Sequence, residues 1–289
     1  MEESMVEAYN KRISDCGAAA KNTETRNSPP ACSENAGRNT RVCGESGSFA
    51  DASCENKKHF SEDAVMECLK ALESGETEKL FELLPRIGVV RDRRFYPYLL
   101  ALLENKDVRL REFAACAMGA MADAAFLEPL KEAFFKTRRL RDFGSRELQT
   151  AIIEAIGAIG DDSAVDFFLP ELLNLRGPAG GGRNSNNNRL RRWIIGAIGA
   201  IAQQGRPRSL AALAELATNE DPEIQVMALA ELSGAYWHRP NDISNKELRD
   251  IYDLTASDNP AVAEAALAVL QNFADVGCTR AEALFRLKP

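Results

Sequence analysis

The chain has 289 residues, a hydrophobic fraction of 45% and a formal net charge of −7 at neutral pH. This length accommodates one or two domains, and the apolar content is sufficient for a buried core. The negative charge argues against a general polyanion-binding protein, because nucleic-acid-binding domains usually carry a basic excess. The sequence has no apolar run of about 18 residues, so we expect no transmembrane helix. Its N-terminus lacks the basic and apolar regions of a secretory signal.

The first 60 residues differ in composition from the rest of the chain. Ser, Asn, Gly, Glu and Ala dominate, and the apolar residues follow no helical or strand period. Such a segment buries too little apolar surface to offset its ordering entropy, so we expect a disordered low-complexity tail over residues 1–60. A start codon assigned too far upstream would also explain the difference.

The cysteines give weak indications of location. The chain has seven, an odd number at irregular spacing, which argues against a complete disulfide framework. Free thiols fit a reducing cytoplasm, so we expect a cytoplasmic location. Four of them lie in the tail without the close pairs typical of zinc sites, and redox pairing or metal capture is the alternative to incidental thiols. These four are Cys16, Cys32, Cys43 and Cys54.

Helical patterns begin after residue 60 and continue to the C-terminus. An amphipathic helix is predicted over Asp63–Glu73 and ends at Gly75. A second is predicted over Glu78–Gly88 and a third over Phe95–Glu104. The next helix begins after Asp107, whose side chain is a favourable N-cap. These four helices form two successive helix pairs.

The segment that starts at Asp107 sets the pattern for the rest of the chain. Its apolar side chains fall at helical spacing on one face, at Leu110, Phe113, Ala114, Ala117 and Met121. The same frame recurs from Ser145, Asn187, Asp221 and Asn259, and a shortened version runs from Arg86 to Asp92. In this frame Cys116 replaces a small core residue, and Trp193 is expected in the core at the position of Phe113. A two-helix unit that repeats every 31 to 42 residues is typical of an α-solenoid.

Glycines inside these helices are predicted to be packing residues. Gly119 and Gly157 recur in the frame beside small alanines, where they allow a neighbouring helix to approach closely. Gly196–Gly199 also lies within a helix. Gly180–Arg183 does precede a helix, but it lacks the lysine of a phosphate loop, so a flexible linker is the better interpretation.

Two connections between helices are longer than the others. They cover residues 136–144 in the third pair and 176–188 in the fourth. Because stacked repeats place equivalent connections side by side, we expect these two to be neighbours. Both carry arginine on an acidic chain. The resulting basic edge comprises Arg138, Arg139, Arg141, Arg183, Arg189, Arg191 and Arg192.

The basic edge is the predicted partner-binding site. Arginine suits a protein interface, because its planar fork pairs with carboxylates in two places, so an acidic protein is the expected partner. A solvated charged edge is the alternative. Nucleic acid is a further alternative, although the aromatic interleaving of single-strand binders is missing.

The last two helix pairs are separated by an interruption. The fifth pair runs from Arg208 to Tyr236, and Trp237–Asp242 breaks the pattern before Ser244 starts the sixth. The final long helix is predicted over Ala261–Ala274. A short helix at Cys278–Leu287 is expected to cover the apolar end, as solenoids require for solubility.

The whole pattern resembles HEAT repeats, in particular the short bacterial HEAT-like repeats of the kind found in phycobilin lyases. The resemblance covers about residues 62–289. It implies an all-α protein in which residues 61–289 form an α-solenoid, a right-handed superhelix of about six HEAT-like helix pairs. This scaffold carries many unrelated functions, so the resemblance alone does not identify one.

The sequence shows no catalytic residue, metal site or cofactor site. Its two histidines, His59 and His238, have no partner at ligand or general-base spacing. Deoxyhypusine hydroxylases, a HEAT-type family, hold iron with repeated His-Glu pairs, and no such pair occurs here. We therefore expect a non-enzymatic protein-interaction scaffold. A bilin lyase-like enzyme or enzyme subunit is the alternative, and a nucleic-acid-binding protein is a further one; the sequence leaves the oligomeric state open.

Overall fold

The structure, a computed structural model, describes residues 62–139, 144–175 and 185–286. The chain divides into two units, residues 1–59 and residues 60–289, and every element below belongs to the second unit. The disordered tail predicted over residues 1–60 lies outside the described residues.

The described residues contain thirteen α-helices and no β-strand, which confirms the all-α class. The first helices of six successive pairs are α1 (Glu62–Ser74), α3 (Tyr96–Leu103), α5 (Leu127–Arg139), α7 (Val165–Asn174), α9 (Pro207–Ala217) and α11 (Asn245–Leu254). The second helices are α2 (Thr77–Val90), α4 (Val108–Met121), α6 (Ser145–Ile159), α8 (Ser185–Gln203), α10 (Pro222–Tyr236) and α12 (Pro260–Asp275). A last helix, α13 (Thr279–Arg286), packs against α12.

Side-chain caps explain where several helices begin. The side chains of Asp107, Asp221 and Asn259 each accept a hydrogen bond of 2.9–3.0 Å from the backbone N–H two residues further on, at the starts of α4, α10 and α12. Ser244 and Glu247 form a reciprocal capping box at the start of α11. These bonds satisfy N–H groups that have no partner within the helix. The cap predicted at Asp107 is confirmed.

A second set of caps precedes the first helices of three pairs. Each is an aspartate whose side chain accepts a backbone hydrogen bond of 2.8–2.9 Å and starts a short 3-10 turn. The aspartates are Asp92, Asp123 and Asp161. The turns lead directly into α3, α5 and α7, so each of these helices begins three residues after its 3-10 turn begins.

Two predicted connections are shorter than the sequence indicated. The connection predicted over residues 136–144 is helical as far as Arg139. The connection predicted over residues 176–188 ends at residue 184, because α8 begins at Ser185. Residues 185–188, which the sequence predicts as loop, form the first turn of α8. In this turn Asn187 donates a 3.2 Å hydrogen bond to the carbonyl oxygen of Leu175.

The second helices contact one another in chain order. Helix α2 packs against α4, α4 against α6, α6 against α8, α8 against α10 and α10 against α12. Each first helix packs against the second helix that follows it. The core lies between the two sets, where large side chains such as Leu99, Leu130 and Phe168 of the first set meet Met118 and Ile152 of the second.

We call the five contacts between successive second helices joints, and glycine meets alanine at the first three of them. A methyl group added at Gly119 would lie 2.7 Å from Cα of Ala155 at the α4–α6 joint. One added at Gly157 would lie 3.0 Å from Cα of Ala197 at the α6–α8 joint, and Gly88 is similarly close to α4. Real Cβ atoms essentially never come closer than 3.0 Å to another heavy atom, and a contact of 3.0 Å is already unusually tight, so these joints favour glycine. The predicted packing role of Gly119 and Gly157 is confirmed.

Two side chains depart from the frame-based placement. Cys116, expected in the core, is exposed, since Glu112, Cys116 and Ala120 lie at helical spacing along the solvent-facing side of α4. Trp193, also expected in the core, is half-buried and packs against its edge. Phe113, at the equivalent position, is half-buried as well. Its ring stacks edge-on against the ring of Phe81 on α2, with 5.1 Å between the ring centroids.

Deleting residues 1–60 is expected to leave the thermal transition of residues 61–289 unchanged. The reason is that the helical period begins only after residue 60, so the core of the remaining chain is complete without the deleted segment. The measurement is a circular dichroism melt of both forms. Loss of the cooperative transition in the shortened chain would show instead that residues 1–60 are structural.

Candidate functional site

The predicted basic edge divides into residues with different surroundings. Arg138 lies at the end of α5, with 45% of its side chain exposed. Its Nη1 atom donates to both carboxylate oxygens of Glu171 on α7, at 2.9 and 2.7 Å. The Glu171 side chain is only 8% exposed. Arg138 therefore links the ends of α5 and α7, while the rest of its guanidinium faces solvent.

Arg191 is buried instead of lying on the surface. Its Nη1 is 3.1 Å from a carboxylate oxygen of Asp221, the cap of α10, and its Nη2 donates a 3.1 Å hydrogen bond to the carbonyl oxygen of Leu175. The whole residue is 8% exposed. It holds together α7, α8 and α10, and so contributes to folding more than to an accessible surface.

Arg189 and Arg192 lie on a different face of the first turns of α8 from the buried Arg191. Both are exposed, and neither forms an ion pair within the described part of the chain. The side chain of Arg139, and Arg141 and Arg183 altogether, lie outside the described residues. Partner binding by the basic edge stays a prediction.

Contacts between helix ends bring the accessible part of this edge together. The Arg138–Glu171 pair joins α5 to α7. The carbonyl oxygen of Leu175, just after α7, accepts hydrogen bonds from Asn187 and Arg191 on α8. The ends of α5 and α7 and the start of α8 are therefore adjoining parts of one surface.

Two exposed apolar side chains on this surface were not predicted from the sequence. Phe135 on α5 is 46% exposed and Leu173 on α7 is 55% exposed. The ring of Phe135 stacks edge-on against Phe167 at 5.6 Å, which fixes its orientation. The sequence does contain a signal for this exposure. A step of 38 residues takes Phe135 to Leu173, so the two occupy the same position in successive pairs. The preceding pair has the polar residue Glu104 at that position, which indicates that the position faces solvent.

We call these five accessible residues the edge surface. They combine three guanidinium groups with two apolar side chains. Aromatic and arginine side chains are the residues that carry most binding energy at protein interfaces. The members are Phe135, Arg138, Leu173, Arg189 and Arg192.

Half-buried carboxylates on α4 and α6 raise one another's pKa. Partial burial raises the pKa of Glu112, and the nearby charge of Glu147 raises it further, while Arg109 lowers it. Burial also raises the pKa of Glu154, with a further contribution from Glu112. The guanidinium carbon of Arg109 lies 5.2 Å from the ring centroid of Phe81 on α2. Within the described ranges, no group of three or more His, Cys, Asp or Glu side chains has a geometry that would hold a metal ion.

Comparisons with known proteins do not identify the chain. A scan against protein-family models finds no match, and no curated protein matches it. None of the helices in residues 62–139, 144–175 and 185–286 is long and apolar enough to cross a membrane. The function is therefore argued from the geometry of the edge surface.

Proposed function

We propose that the chain is a non-enzymatic protein-interaction scaffold that binds an acidic protein partner through its edge surface. The observation that carries the proposal is the placement of exposed arginines and exposed apolar side chains at adjoining helix ends of successive pairs. Phe135 and Leu173 are equivalent in the repeat, and Arg189 and Arg192 have no internal ion pair among the described residues.

The scaffold itself is proposed to be an α-solenoid of about six HEAT-like helix pairs, wound as a right-handed superhelix. Two features support this. Contacts between second helices follow the chain order from α2 to α12, as expected when each repeat contacts only its neighbours. The close glycine contacts also recur at the repeat spacing, at Gly88, Gly119 and Gly157. Rigid stacking of this kind holds the edge surface in place without support from a partner.

The chemistry of the edge surface indicates the chemistry of the partner. The exposed guanidinium groups pair with carboxylates in a planar, two-point arrangement. Phe135 and Leu173 offer sites for apolar anchors of the partner. We therefore expect a segment in which acidic residues flank at least one large apolar residue. A cytoplasmic location is part of this proposal, since Cys68 and Cys278 are buried thiols outside any disulfide.

Reversing two charges on the edge surface is expected to slow binding of the partner by about tenfold or more at low salt. In the variant Arg189→Glu with Arg192→Glu, attraction to an acidic partner becomes repulsion, which acts mainly on the association rate. The measurement is the association rate at several salt concentrations. The thermal transition should change little, because both side chains are exposed.

The matched control is Arg249→Glu on α11, an exposed arginine away from the edge surface. It changes the net charge in the same direction and should leave the salt dependence of binding almost unaltered. Slowing by Arg249→Glu in proportion to its charge change, which is half that of the double variant, would mean that only net charge matters. No slowing by either would mean that the edge surface is a solvated face.

A further inference from the structure

The α8–α10 joint differs in one residue from the three joints that precede it in the chain. Three joints place glycine against the small-residue face of the next helix. A step of 34 residues takes Ala197, the partner of Gly157, to Glu231 on α10. A methyl group added at Gly199 would lie 2.7 Å from Cδ and 3.0 Å from Cβ of Glu231, and one of the carboxylate oxygens is closer still. A carboxyl group therefore occupies the contact that is alanine at the three preceding joints.

The surroundings of Glu231 offer its carboxylate no compensating charge. Residues 193–203, which form the part of α8 that it packs against, contain no charged side chain. Burial alone raises the pKa of Glu231, and no charged neighbour contributes to the shift. Arg239, which follows α10, is directed to the carbonyl oxygens of Ala202 and Ala235 instead. The other charged groups on the surrounding helices are Arg189, Arg191, Arg192, Arg208, Glu215, Glu223, Glu264 and Asp275.

We propose that the α8–α10 joint is a protonation-sensitive hinge, closed when the Glu231 carboxyl is neutral and loosened when it is ionised. The neutral carboxyl packs against the backbone of Gly199 much as alanine does at the three preceding joints. The ionised group favours fuller hydration than its half-buried position provides, and it gains that hydration by moving away from α8. Loosening at this point weakens one of the contacts between the helices up to α8 and those that begin with α9, so the two parts shift about the remaining contact between α8 and α9.

The direction of the pH dependence follows from the pKa. A carboxyl whose pKa is raised in the folded protein binds its proton more tightly there than in the unfolded chain. Its contribution to stability is complete below the ordinary value of 4.5 and is lost as the pH rises through the raised value. The joint is therefore tightest in acid and loosest at neutral pH.

Hydrogen exchange of the full chain tests the hinge, with Glu231→Gln as the permanently neutral form. Exchange rates of backbone amides in α8 and α10 are compared between wild type and variant at each pH, so the intrinsic pH dependence of exchange cancels. At neutral pH the wild type should exchange faster, by about tenfold for each unit by which folding raises the pKa. Below pH 4.5 the two should be equal, and amides of α4 and α6 should not differ at any pH.

Two further variants keep the result interpretable. Glu231→Ala restores the residue found at the three preceding joints and should protect α8 and α10 at every pH. Glu264→Gln removes an exposed carboxylate from α12 and should behave as wild type. The hinge is overturned by a ratio of rates that does not change with pH, by a difference that extends equally to α4 and α6, or by loss of protection in Glu231→Ala.

Discussion

Replacing Gly119 with leucine is expected to lower the free energy of unfolding by about 1–3 kcal/mol, the usual cost of overpacking a tight contact. The added Cβ would lie 2.7 Å from Cα of Ala155. A backbone atom of a packed helix cannot move aside as the end of a flexible side chain can, so α4 and α6 must separate. The melting temperature should fall by several degrees, which circular dichroism measures directly.

The chain offers a graded series of controls for this substitution. Gly157→Leu should cost a similar or slightly smaller amount, since the added Cβ would lie 3.0 Å from Cα of Ala197. Gly234→Leu should have little effect, because Gly234 is exposed and its nearest neighbour is a side-chain amide 3.5 Å away. Unchanged melting of the Gly119 and Gly157 variants would mean that the α4–α6 and α6–α8 joints are not close contacts.

Replacing Arg191 with alanine is expected to cost about 2–3 kcal/mol. Removing one member of a buried ion pair costs more than the pair itself contributes, because the remaining charge and carbonyl lose their partners. Here the substitution leaves Asp221 and the carbonyl oxygen of Leu175 without the guanidinium. The estimate is below that for a fully buried pair because 31% of the Asp221 side chain is exposed.

Arg192→Ala is the matched control for Arg191→Ala, since it removes the same side chain one position further along α8. Arg192 is exposed, and substitutions of this kind usually change stability by less than about 0.5 kcal/mol. The two residues should thus separate two roles, with Arg191 acting on the melting temperature and Arg192 on partner binding. Equal melting temperatures for both variants would contradict the buried position of Arg191.

The sequence predicted the parts of the fold that depend on local signals. The frame around Gly119 located the second helices and their close contacts, because small residues recur only where backbones approach. Caps such as Asp107 were also predictable, since an aspartate before an apolar periodic segment satisfies the first free N–H groups of a helix. Each of these signals is contained within about fifteen residues of the chain.

Features that depend on rotation about a helix axis were harder to predict. Successive residues point about 100° apart, so Arg191 and Arg192 differ completely in burial although both are arginines of one run. The same one-position uncertainty placed Cys116 in the core. The start of α8 was missed because asparagine and serine favour turns in general, whereas here a neighbouring carbonyl oxygen accepts from Asn187.

Only the arginines of the edge surface could be predicted from the sequence. Composition identified the arginines, because seven of them flank two long connections on an acidic chain. The sequence does not distinguish Phe135 and Leu173 from core residues, since exposure of an apolar side chain depends on which neighbours cover it. The position of Glu231 could not be predicted either, because only its contact with Gly199 in the structure shows that a carboxyl group lies at a joint.

Quantitative copurification from the protein's own cells is the most direct test of the scaffold function. The tagged full chain is compared with the Arg189→Glu, Arg192→Glu variant and with Arg249→Glu, and the eluates are analysed for protein, nucleic acid and bound pigment. The scaffold function predicts an acidic protein in stoichiometric amounts with the wild type and Arg249→Glu, and much less of it with the double variant. A bound pigment, a salt-sensitive nucleic acid, or the same proteins in equal amounts with all three forms would contradict it.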